Sequence, residues 1–133
     1  MADIKEKSIS LISRTLSCNL AALANVQKDL FVVPIGKTLI VTHVVMHTFS
    51  ADTTNAVITF GHTVGTMEEW SGDVTLTGVT SSFAEQVLIL QPVPATTPLG
   101  KSFFVAGEVF GVEITTAAGG AGYCTVDVFG YLL

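Results

Sequence analysis

Apolar and β-branched residues occur in this chain as short runs, separated every ~8–14 residues by segments rich in Gly, Pro, Asp and Asn. Runs of this length fit β-strands and are too short for helices that stand alone. The predicted strands cover residues 30–33, 38–49, 56–62, 74–77, 83–91, 103–105, 109–115 and 123–133, and residues 8–17 have a roughly strand-like pattern. This spacing is typical of an antiparallel sandwich or barrel.

The pattern predicts an all-β fold, namely an antiparallel β-sandwich of about eight strands in a jelly-roll or Greek-key arrangement. Alternating βαβ units are absent from the sequence, so no parallel sheet is expected. Residues 20–26 are the one helical candidate, with Asn19 as N-cap. A length of 133 residues suits one domain. We predict an N-terminal arm over residues 1–14 and a single sandwich domain over 15–133.

A five-residue segment occurs twice, as PIGKT at 34–38 and PLGKS at 98–102. Gly-Lys-Thr/Ser also ends the phosphate-binding loop, but that loop needs another glycine five residues earlier. Phe31 and Ala95 occupy those positions, and no helical segment follows Lys37 or Lys101. We interpret both copies as turns in which Pro fixes the first corner and Gly adopts a positive φ before a strand begins. The 64-residue separation suits two similar halves of about four strands each.

The composition of the chain indicates that it associates with a partner. Hydrophobic residues make up 49% of the chain and charged residues 13%, against about 25% charged in an average soluble domain. Ser, Thr and Gly cover part of the outside, and we expect the remaining apolar surplus to face a partner. No apolar stretch approaches the ~18 residues of a membrane span, so no membrane partner is expected.

The net charge of −5 is unevenly spread. Residues 1–37 hold five basic groups against three acids, whereas residues 38–133 hold Lys101 alone against eight acids. Binding of nucleic acid needs a basic face that displaces counterions, and the acidic body does not provide one. The asymmetry is either a chance clustering on a solvated surface or a basic arm that lies on an acidic neighbouring subunit.

The cysteines and histidines do not form a recognisable metal or nucleophile motif. Cys18 and Cys124 are too few for a disulfide framework or a zinc site and are expected to be buried free thiols. His43 and His47 lie in a strand-like run, where they share a face but stand about 13 Å apart, too far for one zinc ion. His62 has no Cys, Asp or Glu near it in the sequence at the spacing of metal ligands. We therefore expect no metal and no cofactor.

Residues 68–70, Glu-Glu-Trp, form the most distinctive loop. Adjacent residues of an extended chain point in opposite directions, so the two carboxylates are poor candidates for a glycosidase pair. Trp70 either anchors the loop in the core or a neighbour, or offers a stacking platform for a sugar. A flexible hairpin through residues 118–122 is predicted to join the last two strands. With no Gly-x-Ser-x-Gly elbow either, no catalytic residues are assigned and the protein is expected not to be an enzyme.

In order along the chain come LFVV at 30–33, the first Pro-x-Gly-Lys turn, LIVTHVV at 39–45, ITFG at 58–61 and TVDVFGYL at 125–132. Together these segments resemble the small β-sandwich virion proteins of tailed bacteriophages, of the minor structural or head-decoration type. The resemblance extends from about Ser8 to the end of the chain. It implies a non-enzymatic building block of the particle that forms a homotrimer or another ring.

The resulting expectation is a capsid decoration, or cement, protein that self-associates and binds the major capsid protein or another virion protein. It implies a location in the virion, after assembly in the cytoplasm of the host bacterium. The alternative is a receptor- or carbohydrate-binding module of a phage tail, built around Trp70.

Overall fold

The computed structural model describes residues 8–21, 26–62, 67–92, 101–118 and 122–133. Within these ranges the chain forms nine β-strands and one short 3₁₀ helix, Phe83–Glu85. The strands are β1 (Ser10–Asn19), β2 (Val26–Val32), β3 (Thr38–His47), β4 (Val57–Gly61), β5 (Ser71–Thr75), β6 (Leu88–Leu90), β7 (Phe103–Val105), β8 (Val109–Thr116) and β9 (Tyr123–Leu132).

The strands form two antiparallel sheets that pack face to face. The first sheet has the order β1-β9-β3, and β6 and β7 share the remaining edge of β3. The second sheet has the order β2-β8-β4-β5. Strand pairs are nested, because β1 pairs with β9, β2 with β8, β3 with β6 and β7, and β4 with β5. The nested pairs together form one long hairpin. The hairpin is rolled so that β9 also pairs with β3, and β8 with β4, which is a jelly-roll arrangement. The predicted antiparallel sandwich is confirmed.

An aromatic cluster fills the space between the sheets. Phe60, Trp70, Phe104 and Phe110 are all fully buried. The Trp70 ring lies edge-on to Phe60 and Phe110, with centroids 5.8 and 5.7 Å away, and its indole N–H donates to the carbonyl of Val41 at 3.3 Å. Such contacts add to the free energy gained by burying the rings. Trp70 therefore joins the loop before β5 to the opposite sheet.

A β-bulge in β3 determines which side chains face outward. Its pairing with β9 shifts between Val41 and His43. As a result Leu39 and Val41 are buried before the bulge and Val44 and Met46 after it. The extra residue changes the alternation of inward and outward positions. His43, Val45 and His47 consequently share the outer face of the first sheet.

Two tight turns connect the sheets at one end of the sandwich. In the first, Lys37 N–H donates to the carbonyl of Pro34 at 3.1 Å and Gly36 has a φ of +78°. The predicted turn is thus confirmed for residues 34–37, except that Ile35, not Pro34, occupies the first corner. The matching turn joins β7 to β8, with Gly107 at a φ of +87°. Residues 98–100 of the second Pro-x-Gly-Lys copy lie outside the described residues.

Several predictions about local structure need correction. The predicted hairpin between the last two strands is wrong, because β8 and β9 belong to different sheets and their connection crosses the sandwich. Residues 83–85, predicted as strand, form the 3₁₀ helix, and β6 is limited to three residues. Residues 22–25 of the predicted helix lie outside the described residues.

The predicted domain boundary after residue 14 falls inside β1. Residues 10–14 already pair with β9, since Ser10 lies opposite Gly130 and Arg14 opposite Asp127. The paired part of the sandwich therefore begins at Ser10, and residues 1–7 of the predicted arm lie outside the described residues.

We expect Gly130→Ala to lower the free energy of unfolding by about 3 kcal/mol. A Cβ at this position would overlap the carbonyl oxygen of Ile40 and lie 2.9 Å from its carbonyl carbon, so β3 and β9 would have to separate. Gly107→Ala is the control, because its Cβ has open space and only the positive φ opposes it. The control should lose about 1 kcal/mol. Equal losses in urea denaturation would contradict the steric argument.

Candidate interaction surface

The outer face of the second sheet is partly covered by the chain itself. Met67, which is 1% exposed, lies over Gly111 of β8, where an added Cβ would meet its sulfur at 3.0 Å. The backbone N–H of Met67 donates to the carboxylate of Glu113 at 3.1 Å. Glu113 is buried although it points outward from β8. Met67, just before β5, therefore protects the middle of this face from solvent.

The outer face of the first sheet is more open and more apolar. Six of the ten exposed large hydrophobic residues of the described chain belong to strands of this sheet, and one belongs to the second. The six are Leu11, Leu16, Ile89, Phe103, Val105 and Tyr123. Since single exposed apolar residues are ordinary and contiguous ones are not, the arrangement of these residues decides their meaning.

Strand register places three of these side chains, Leu11, Ile89 and Phe103, opposite further apolar residues of the same sheet. Leu11 lies opposite Phe129, Ile40 lies opposite both Tyr131 and Phe103, and Val45 lies opposite Ile89. Residues directly opposite each other in antiparallel strands project from the same face. We refer to the following set as the apolar face: Leu11, Ile40, His43, Val45, Ile89, Phe103, Phe129 and Tyr131. It extends across all the strands of the first sheet.

His43 contributes a flat ring to this face. Its imidazole is stacked on Phe129, with ring centroids 4.8 Å apart and planes 2° from parallel. Its Nδ1 lies 3.0 Å from the hydroxyl of Thr42. His47, which lies farther along the same strand, contacts Asp127. Among the described residues, no group of three His, Cys, Asp or Glu side chains is placed to hold a metal ion.

A charged triad borders the apolar face. Arg14 donates to both carboxylate oxygens of Asp127 at 2.8 and 2.9 Å, and His47 Nε2 lies 2.9 Å from Oδ2. The Asp127 side chain is 4% exposed, whereas Arg14 is half exposed. The hydrogen bond from Arg14, and to a lesser extent that from His47, holds the pKa of Asp127 below its usual range against the opposing effect of burial. The triad fixes edge strand β1 to the centre of the sheet.

A second ionic cluster lies near the turn between β7 and β8. Lys101 binds the Glu108 carboxylate at 2.8 Å, and His62 Nε2 lies 3.9 Å from both Glu69 and Glu108. Burial opposes ionisation of Glu108, but hydrogen bonds from Lys101 and the Val105 N–H outweigh it and lower the pKa of this carboxyl. Glu69 accepts a hydrogen bond from the His62 N–H at 3.0 Å. These carboxylates hold backbone segments in place.

The predicted loop at residues 68–70 does not form a binding site for a sugar on its Trp. Glu68 is exposed, Glu69 is engaged with His62, and Trp70 is fully buried in the aromatic cluster. The indole ring has no free face for stacking, so the interpretation of Trp70 as a core anchor is the one the geometry supports.

The comparisons with known proteins assign no family. No protein-family model matches the chain, and a search of curated proteins found no significant match. The class of protein is therefore defined by its fold alone, as a jelly-roll β-sandwich with one apolar outer face.

The part of the chain that the structure describes contains no helix of the length and hydrophobicity needed to cross a membrane.

We expect Asp127→Asn to lower the free energy of unfolding at pH 7 by about 2 kcal/mol, since the charged hydrogen bonds from Arg14 and His47 are weakened. Because folding lowers the pKa of Asp127, its stabilising effect is complete above the unfolded pKa of about 3.9 and is lost as the pH falls through the lower folded value. Urea denaturation from pH 7 to pH 2 should give a flatter profile for the variant than for the wild type.

The matched control for this pH series is Asp73→Asn on β5, whose side chain is exposed. It should follow the wild-type profile. Parallel pH profiles for Asp127→Asn and the wild type would show that the triad does not contribute to acid sensitivity.

Proposed function

We propose that the protein is a non-enzymatic structural component of a tailed-bacteriophage particle, a capsid decoration or cement protein that associates with itself and binds the shell. The observation that carries this proposal is the apolar face of the first sheet. A sheet face that crosses every strand and contains several half-exposed aromatic and aliphatic side chains is costly in water and is typical of an interaction surface. Jelly-roll sandwiches are also a recurrent architecture of viral capsid proteins.

The partner that covers the apolar face is another copy of the same chain. Tyr131, Phe129 and Phe103 provide the large aromatic contact areas that dominate the energetics of protein interfaces. The carboxylate of Asp127 is paired with Arg14, so no unpaired carboxylate lies at this border of the contact. A homotrimer or another symmetric ring would cover the face in every copy.

The rest of the molecular surface, which is acidic and carries few charges, then faces the capsid shell or solvent. Residues 38–133 carry eight acids against one lysine. The described acids outside the triad lie on the second sheet, in loops or, for Glu85, in the 3₁₀ helix. Electrostatic complementarity would direct such a surface toward basic patches of a capsid protein. Assembly in the host cytoplasm and residence in the virion follow from this assignment.

We expect Ile89→Lys to disrupt self-association. Ile89 is 64% exposed on the apolar face, so a lysine there would bring a charge into the contact and raise the dissociation constant by about 100-fold or more. Val32→Lys is the matched control, because Val32 is a β-branched residue on edge strand β2, is 55% exposed and belongs to the second sheet. Light scattering coupled to size exclusion measures the mass of both variants.

The wild type and Val32→Lys should share one oligomeric mass, while Ile89→Lys shifts toward a monomer that remains folded. An oligomer that survives Ile89→Lys but not Val32→Lys would place the interface on the second sheet. A wild type that is monomeric at high concentration would contradict self-association.

Binding to the shell needs a separate experiment on particles of a phage whose genome encodes this chain. Electron cryomicroscopy of purified particles should show jelly-roll density on the head. Absence of the chain from particles that contain every other head protein would contradict the virion assignment.

A further inference from the structure

The two cysteines of the chain face each other across the β1–β9 ladder. Cys18 and Cys124 are direct partners in the strand register, although 105 residues separate them in the sequence. Their side chains are 0% and 1% exposed and point into the sandwich. Both are free thiols. The ladder continues beyond them, since Leu20 N–H donates to the carbonyl of Gly122 at 2.8 Å.

Register alone brings the two residues within the range of a disulfide bond. Directly opposed residues in antiparallel strands have Cα atoms about 4.5–5.5 Å apart. Disulfides accept Cα separations of about 4.4–6.8 Å. The Cα separation expected for this register therefore lies within the range that a disulfide bond accepts.

The environment also favours one of the two thiols as the nucleophile. Interaction with the neighbouring thiol of Cys124 lowers the pKa of Cys18, while burial opposes this shift and Lys28 assists it. The same interaction, followed by burial, raises the pKa of Cys124. Reaction with an oxidant begins at a thiolate, and Cys18 lies on edge strand β1 beside a register shift whereas Cys124 lies on the central strand β9, so the first step is expected at Cys18.

We propose that Cys18 and Cys124 are an oxidisable pair that forms an intramolecular disulfide with a low-molecular-weight disulfide such as oxidised glutathione as the oxidant. The Cys18 thiolate attacks one sulfur of the oxidant, forms a mixed disulfide and releases one thiolate. Cys124 then loses its proton and attacks the Cys18 sulfur, which forms the protein disulfide and releases the second thiolate. The two cysteines are oxidised, and one disulfide is reduced to two thiols.

Edge strand β1 provides the route by which an oxidant reaches the buried pair. The pairing of β1 with β9 shifts between Thr15 and Cys18, and Ser17 has a φ of +55°. Leu16 and Ser17 thus form a bulge without partners in the ladder. Local opening of a sheet edge at such an irregularity requires less free energy than global unfolding, and it exposes Cys18.

The bond would tie the N-terminal edge strand to the C-terminal strand and enclose most of the chain. Loops of this size are those for which crosslinking constrains the unfolded state most strongly. We expect oxidation to raise the melting temperature by roughly 10 °C. The inference is independent of the proposed function, because it depends only on the β1–β9 register.

The test compares the protein equilibrated in oxidised glutathione with the protein kept in dithiothreitol. Each sample is unfolded, alkylated with a maleimide and weighed by mass spectrometry. The reduced protein should take up two maleimides, one at each cysteine. The oxidised protein should take up none, show no added glutathione, run as a single chain without reductant and melt at the higher temperature.

Cys18→Ala and Cys124→Ala are the controls, and their melting temperatures should not respond to oxidised glutathione. A parallel sample is refolded from urea in the same redox buffer, which removes any barrier to access by the oxidant. A Cys18–Cys124 disulfide that forms in this refolded sample but not in the native one would still support the proposed oxidisable pair. Two free thiols, a stable glutathione adduct or crosslinked chains in both the native and the refolded sample would overturn the proposal.

Discussion

The pairing of β9 with β1 on one side and β3 on the other is the constraint on which the rest of the molecule depends. It places the last strand of the chain in the middle of the first sheet, beside the first strand. Gly130 allows β9 to approach β3 closely at the bulge, which sets the inward and outward positions of β3. The same pairing brings Arg14 to Asp127 and Cys18 to Cys124. Both the ionic triad and the thiol pair are consequences of one register.

The two faces of the sandwich then acquire different roles for a physical reason. Met67, just before β5, lies over the outer face of the second sheet and covers Gly111. No described segment does the same for the first sheet, whose outer positions hold Phe129, Tyr131 and Phe103. The apolar surplus of the composition is therefore concentrated on one side, which suits a subunit that uses that side for association.

Strand positions were largely predictable from the sequence, because β-branched runs and Gly or Pro punctuation are local signals. The irregular details were not. The change in the alternation of inward and outward residues of β3 at Thr42 depends on a bulge. The connection from β8 to β9 crosses between the sheets because these two strands belong to different sheets. The partnership of Arg14 with Asp127 spans 113 positions, so no local pattern indicates it. Trp70 could be assigned to the core or to a surface by its sequence, and only its packing against Phe60 and Phe110 decides between them.

The central claim is that the apolar face of the first sheet is covered by further copies of the chain. Sedimentation equilibrium of the purified protein tests it most directly, over a wide range of concentration. The account predicts one discrete species whose mass is a small whole-number multiple of 14.0 kDa. A mass of 14.0 kDa that persists at the highest concentration would contradict it.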